Sequence, residues 1–136
     1  MSIKAIMSTP VIAVERDDEL ALVADIFSNT KFHHLLVVEN NTLYGVVSDR
    51  DLLKALSPNL GTAAEKLTDL ATLNKKVHQI MTRSPICIEQ NESMHKAVEL
   101  FLGHDISCIP VLDVNKIPVG IISWRDLLRA IRKPSP

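Results

Sequence analysis

Two tetrapeptides in this chain place a hydroxyl and a carboxylate three residues apart: Ser48-Asp49-Arg50-Asp51 and Ser123-Trp124-Arg125-Asp126. Each follows an apolar pair, Val46-Val47 or Ile121-Ile122, and precedes Leu-Leu, so each stands where a strand hands over to a helix. Two uses of that pairing compete. As a capping box, the serine oxygen satisfies helix N-terminal amides while the acidic side chain reaches back and its charge suits the helix dipole. As a ligand site, the carboxylate accepts from both hydroxyls of a ribose, as acidic residues do in dinucleotide-binding folds, and the helix N-terminus favours a phosphate. A serine hydroxyl both donates and accepts, so the two uses are compatible. Arg50 and Arg125 lie inside the motifs. An arginine there either grips a phosphate through its fork or stands as a solvated or ion-paired side chain.

No other residues assemble into a chemical motif. His33 and His34 are adjacent and point to opposite faces of a strand, so they make no local metal pair. His78, His95 and His104 read as structural or solvent-facing. Cys87 and Cys108 are too few for a disulfide scaffold or a tetrathiolate zinc site and read as small core residues. No catalytic residue and no metal site is expected, which disfavours an enzyme such as a nucleotide hydrolase.

The elements that must hold these motifs occur twice. Ile6-Met7-Ser8-Thr9-Pro10 returns as Ile80-Met81-Thr82-Arg83-Ser84-Pro85, and the Ser-x-x-Asp motifs return in the same order, 75 residues apart. Glu15, Phe27, Val37 and Gly45 match Glu89, Phe101, Val111 and Gly120. Each copy reads as strand, helix, strand, strand, helix after a short helical lead-in. Val11 to Val14 and Ile86 to Ile88 form the first strands. Asp17 and Asn91 stand as N-caps of the next helices, whose apolar faces carry Leu20, Val23, Ile26 and Phe27 or Met94, Ala97, Val98 and Phe101. Leu35–Val38 and Ile109–Leu112 read as buried strands. Asn40-Asn41 and Val114-Asn115-Lys116 turn the chain into third strands over 43–48 and 117–123. Ala64, Leu67 and Ala71 recur at helical spacing in the segment 57–76, read as an amphipathic connector helix.

The chain has 136 residues, 46% apolar and 23% charged, as expected of a soluble globular protein. Lys+Arg at 15 and Asp+Glu at 16 leave a net charge of −1, which argues against electrostatic binding of nucleic acid or an anionic membrane. Aromatic residues are 4%, too few for base-stacking platforms. No apolar run reaches membrane-span length, and no signal peptide is apparent, so a cytoplasmic location is expected. The basic residues Arg125, Arg129, Arg132 and Lys133 gather near the C-terminus, where they suit the end of a helix.

The repeated Ile-Met-(Ser/Thr) lead-in, the Leu-Leu-Val-Val and Ile-Pro-Val-Leu strands, and the Gly-x-x-Ser-x-Arg-Asp-Leu-Leu motif resemble the tandem CBS-domain pair, or Bateman module, over residues 3 to about 133. The resemblance implies an α/β (α+β) fold in which two repeats pack sheet to sheet about a pseudo-twofold axis. It divides the chain into a first repeat at 1–56, a connector at 57–76, a second repeat at 77–133 and a tail at 134–136. It implies adenosine-containing ligands (AMP, ADP or ATP) bound in clefts between the repeats, with Ser48, Asp51, Ser123 and Asp126 at ribose and phosphate, and Arg50 and Arg125 beside them. It puts the base against Val11, Ile12 and His34 in the first copy and Ile86, Cys87, Cys108 and Pro110 in the second. Leu36 departs from the proline of the family, which Pro110 keeps. A stand-alone pair of this kind implies a homodimer, a regulatory role without catalysis, no required cofactor, and a separate effector protein. A ligand-independent dimerisation or scaffolding module, and a sensor of an S-adenosylmethionine-type ligand, are the alternatives.

Overall fold

The computed structural model describes residues 1–132. Lys133 and the expected tail at 134–136 lie outside the described residues. In chain order the elements are α1 (Ile3–Ile6), β1 (Ala13–Val14), α2 (Leu20–Asn29), β2 (His34–Glu39), β3 (Thr42–Ser48) and α3 (Asp49–Ala55). Then follow α4 (Leu67–Leu70), a 3-10 turn (Ala71–Asn74), α5 (Val77–Ile80), β4 (Thr82–Arg83) and β5 (Ile88–Glu89). The chain continues through α6 (Met94–Gly103), β6 (Cys108–Leu112), β7 (Pro118–Ser123) and α7 (Trp124–Arg132). The strand-helix-strand-strand-helix order holds in both copies, and the fold is mixed α and β with two sheets.

The chain forms two compact units, and they cut across the repeats. One holds Ile12–Ser84. The other joins Met1–Val11 to the chain from Pro85 onward. Each unit is thus completed by the lead-in that precedes the other repeat.

In the unit 12–84, the sheet runs β1-β2-β3-β4. β1 pairs parallel with β2, β2 antiparallel with β3, and β3 antiparallel with β4. Asn40 and Asn41 both take positive φ, 50° and 62°, and close the β2–β3 hairpin in two residues. This is the turn whose twist suits paired strands, and asparagine tolerates it. Val14, Leu20, Val23, Leu35, Val37, Val47 and Leu52 form the core, and Val77 and Met81 of the second lead-in complete it.

In the other unit, β5 pairs parallel with β6 and β6 antiparallel with β7. Its core holds Ile88, Ala97, Phe101, Ile109, Val111, Ile122 and Leu127, completed by Ile3 of the first lead-in.

The lead-ins dock by the same bonds in both units. Val77 N donates to Asp18 O, His78 N to Arg16 O, and Leu20 N to Lys75 O. Their counterparts are Ile3 N to Glu92 O, Lys4 N to Gln90 O, and Met94 N to Met1 O. Those bonds correct the expected caps. α2 and α6 begin after Glu19 and Ser93, and neither has a side-chain cap. The first helical amide is satisfied by a lead-in carbonyl instead, and Asp18, beside the expected Asp17, turns back to accept from Glu15 N.

Two further expectations shift. The first strands are shorter than read, two residues each. The connector is helical only over α4 and the following 3-10 turn, with Leu67 exposed. Asp69 organises it, accepting from Ser57 Oγ at 2.7 Å and from Lys66 N at 2.8 Å. The Ser57 bond, then the Lys66 amide, holds the Asp69 carboxyl below the usual carboxylate range.

Candidate functional site

The two hand-overs anticipated from sequence stand at the ends of β3 and β7. In the first, the chain passes from Ser48 directly into α3 and the capping box is complete. Ser48 N donates to Asp51 Oδ2 at 2.9 Å, and Asp51 N donates to Ser48 Oγ at 3.1 Å. Two orphan amides at the helix start are thereby satisfied. Among the described residues the second carboxylate oxygen, Oδ1, has no hydrogen-bond partner.

The second hand-over is built differently. Ser123 N donates to Asp126 Oδ2 at 2.8 Å, but here the hydroxyl of Ser123 also donates to Oδ2, at 3.2 Å. Asp126 Oδ1 accepts from Ser8 Oγ at 2.8 Å and lies 3.5 Å from Arg129 Nη1. Asp126 is 5% exposed, the one buried charged residue of the described chain. A buried carboxylate is stable only when its oxygens are engaged, and those four contacts engage both.

Ser8 is the site residue that sequence reasoning missed. It is 118 positions from Asp126. An antiparallel bridge to Ile121 fixes it, with Ser8 N donating to Ile121 O at 2.8 Å and Ile121 N to Ser8 O at 3.2 Å. Its sequence signal is the hydroxyl residue after each Ile-Met pair, Ser8 in one copy and Thr82 in the other.

Register brings two of the proposed base-side residues beside the serines. His34 pairs with Ser48 across β2 and β3, and Cys108 pairs with Ser123 across β6 and β7. Burial lowers the pKa of His34, favouring its neutral form. Ile12 and His34 are half-buried, and Ile12 O accepts from Leu36 N at 3.1 Å. Pro110, fully buried in β6, has no N–H to give, so the corresponding Ile86 carbonyl receives none from it. Ile86 and Cys87 are half-buried and belong to the same unit as Cys108 and Pro110. Burial raises the Cys87 thiol pKa. Val11 is half-buried and ends the segment Met1–Val11, whereas Ile12 and His34 belong to the unit Ile12–Ser84.

Arg50 and Arg125 are exposed and form no ion pair among the described residues. Beside Arg50, His33 Nδ1 lies 2.9 Å from Asp49 Oδ2. Burial pushes the Asp49 carboxyl up, but the hydrogen bond and charge of His33 outweigh it and the net shift is downward. Among the described residues, no three His, Cys, Asp or Glu side chains gather as metal ligands. No described helix is long and apolar enough to cross a membrane.

Comparison with known proteins adds the family. A CBS domain-containing protein of Dictyostelium discoideum is 30% identical over 133 residues, which cover 96% of this chain and 91% of that protein. Other relatives are longer, the chain spanning 44% of one and 22% of another. Among solved structures, the CBS domain pair of protein MJ0100, in complex with 5'-methylthioadenosine and S-adenosyl-L-methionine, has a TM-score of 0.78 at 26% identity, over 96% of this chain and 95% of that one. CBSX2 in complex with AMP has a TM-score of 0.73 at 26% identity, with the same coverage. The CBS-domain signature matches twice, at residues 3–58 and 77–133, and the protein therefore belongs to the CBS-domain family as a tandem pair.

Proposed function

We propose that this CBS pair is a sensor of adenosine-containing nucleotides, binding one ligand at each strand-to-helix hand-over and passing the signal to a separate protein. The observation that carries this reading is the Asp51 carboxylate. It is fixed by its capping box through Oδ2 and keeps Oδ1 available at the start of a helix, the arrangement a ribose diol and a nearby phosphate require. Ser48 and Ser123 stand beside the ribose, Arg50 and Arg125 reach the phosphate, and the β2 and β6 residues face the base. Two similar CBS pairs with adenosine ligands, AMP in one and 5'-methylthioadenosine with S-adenosylmethionine in the other, support the ligand class.

The role is regulatory rather than catalytic, in a cytoplasmic homodimer. A ligand acts on such a module only through its different affinities for two arrangements of it. A sensor for S-adenosylmethionine is the second reading, favoured by the MJ0100 complex.

Protein unfolded to strip bound ligand, refolded and titrated calorimetrically with AMP, ATP and S-adenosylmethionine tests the proposal. Saturable binding of an adenine nucleotide supports it. Binding of S-adenosylmethionine alone selects the second reading. No heat from any of the three at millimolar concentration leaves a scaffolding module.

A further inference from the structure

The two carboxylates assigned to ribose are not in the same state, and the difference lies in two pairs of equivalent residues. At Asp126, Oδ1 carries the Ser8 hydroxyl at 2.8 Å and faces Arg129 at 3.5 Å, while Oδ2 carries both the amide and the hydroxyl of Ser123. Both carboxylate oxygens are thus engaged, by three hydrogen bonds and one ion pair. At Asp51 the residue equivalent to Ser8 is Thr82, exposed on β4 and without a side-chain hydrogen bond among the described residues. The residue equivalent to Arg129 is Lys54, exposed and unpaired with Asp51 among the described residues. One carboxylate has an oxygen to offer, and the other has none.

We infer that the Ser8 hydroxyl is a latch on the second site: it occupies the Asp126 oxygen that a ribose hydroxyl needs, so a nucleotide binds there only by displacing it. The inference rests on the nucleotide-sensing reading above and adds the regulation of one of its two sites. Ser8 is well placed for this. Its backbone is held to Ile121 by two hydrogen bonds, so its hydroxyl turns away by rotation about one side-chain bond while the lead-in stays seated. A released hydroxyl returns when the ligand leaves. The first site has no such competitor, so the two sites answer to different nucleotide concentrations.

Two measurements test this. Without ligand, a double-mutant cycle of Ser8→Ala and Asp126→Asn in thermal unfolding reads the latch bond itself. The melting-temperature losses are expected to be less than additive, and full additivity overturns the latch. With ligand, calorimetry uses AMP on the full chain in an Asp51→Ala background, which leaves the second site alone. Ser8→Ala is expected to tighten AMP about fivefold, the scale of one net hydrogen bond. Ser8→Thr keeps the hydroxyl and is expected to leave the affinity near that of the background. Thr82→Ala, tested with Asp51 intact, leaves the first site unchanged. Weaker or unaltered AMP binding in Ser8→Ala overturns the latch, since it makes Ser8 a ligand contact or a bystander. Coupling in the ligand-free cycle combined with no AMP binding in any folded variant overturns the sensing reading, and the regulatory role with it, leaving a structural bond.

Discussion

Met81 lies against Gly45 so closely that a Cβ on that glycine would stand 2.8 Å from the Met81 sulfur and 2.7 Å from the Thr82 carbonyl oxygen. The same relation holds in the other unit, where Gly120 faces the Met7 sulfur and the Ser8 carbonyl. Each glycine of the repeated motif is the seat of a lead-in. Gly45→Ala is expected to destabilise the protein by about 1–3 kcal/mol, the cost of overpacking against the Thr82 carbonyl, a backbone atom that cannot readily withdraw. Gly120→Ala is expected to cost less, because its nearest contact is a flexible side chain and the carbonyl is 3.2 Å away. Denaturant midpoints of the two variants check the order.

Asp51→Ala and Asp126→Ala are each expected to weaken adenine-nucleotide binding at their own site by about 1–3 kcal/mol, the scale for a charged hydrogen-bonding group. Each also removes the acceptor that holds the serine amide at the helix start, so each loses about 1 kcal/mol of stability. Calorimetry at a temperature where both variants are fully folded separates the effects. Unchanged affinity in the double variant removes the ribose assignment.

Pro110 and Leu36 predict different base selectivity. Leu36 N–H engages the Ile12 carbonyl, whereas Pro110 leaves the Ile86 carbonyl without that donor. A 6-amino purine donates to such a carbonyl and a 6-oxo purine does not. With Asp51→Ala isolating the second site, AMP is expected to bind about tenfold tighter than IMP, the scale of a hydrogen bond kept or lost at a buried acceptor. With Asp126→Ala isolating the first, the preference is expected to shrink. Equal preference at both sites contradicts the role given to Pro110.

Arg16 holds Glu39 by a two-pronged contact, Nε to Oε2 at 2.9 Å and Nη2 to Oε1 at 3.0 Å, and the backbone amide of Arg16 adds a third bond at 2.8 Å. The guanidinium also lies 3.7 Å above the Tyr44 ring. The side-chain bond first, then the amide, lowers the Glu39 pKa from 4.5 to about 2. A carboxyl with a depressed folded-state pKa contributes stability that is present above its unfolded value and lost as pH falls through the folded one. The contribution is therefore complete above pH 4.5 and fades toward pH 2. Glu39→Gln is expected to flatten the pH dependence of the urea midpoint within that window alone. An unaltered profile shows that the pair adds nothing to stability.

The apolar runs and turn residues along 35–48 and 109–123 made the paired strands legible, because both signals are encoded within a few positions. Ser48 and Asp51 were legible for the same reason, since a capping box spans four residues. The caps at Asp17 and Asn91 misled because the helix amides are satisfied by carbonyls of Lys75 and Met1, far along the chain. Ser8 stands in a repeated pattern, but its pairing with Asp126 was not legible, for the same physical reason. Its partner is set by how a lead-in docks, and no local pattern reports that. The connector failed in another way: Leu67 has helical spacing but no surface to cover, and it stays exposed.

The crossing of lead-ins between units sets the order in which each unit's residues are synthesised. The unit Ile12–Ser84 is continuous and can close once Ser84 has emerged. The other joins Met1–Val11 to the chain from Pro85 onward, so Ile3 is made well before the Ile109, Ile122 and Leu127 it packs with. Until then Ile3 and Met7 are an unclaimed apolar segment. A nascent chain halted after its first repeat carries one lead-in with nowhere to dock and a core that lacks Val77 and Met81.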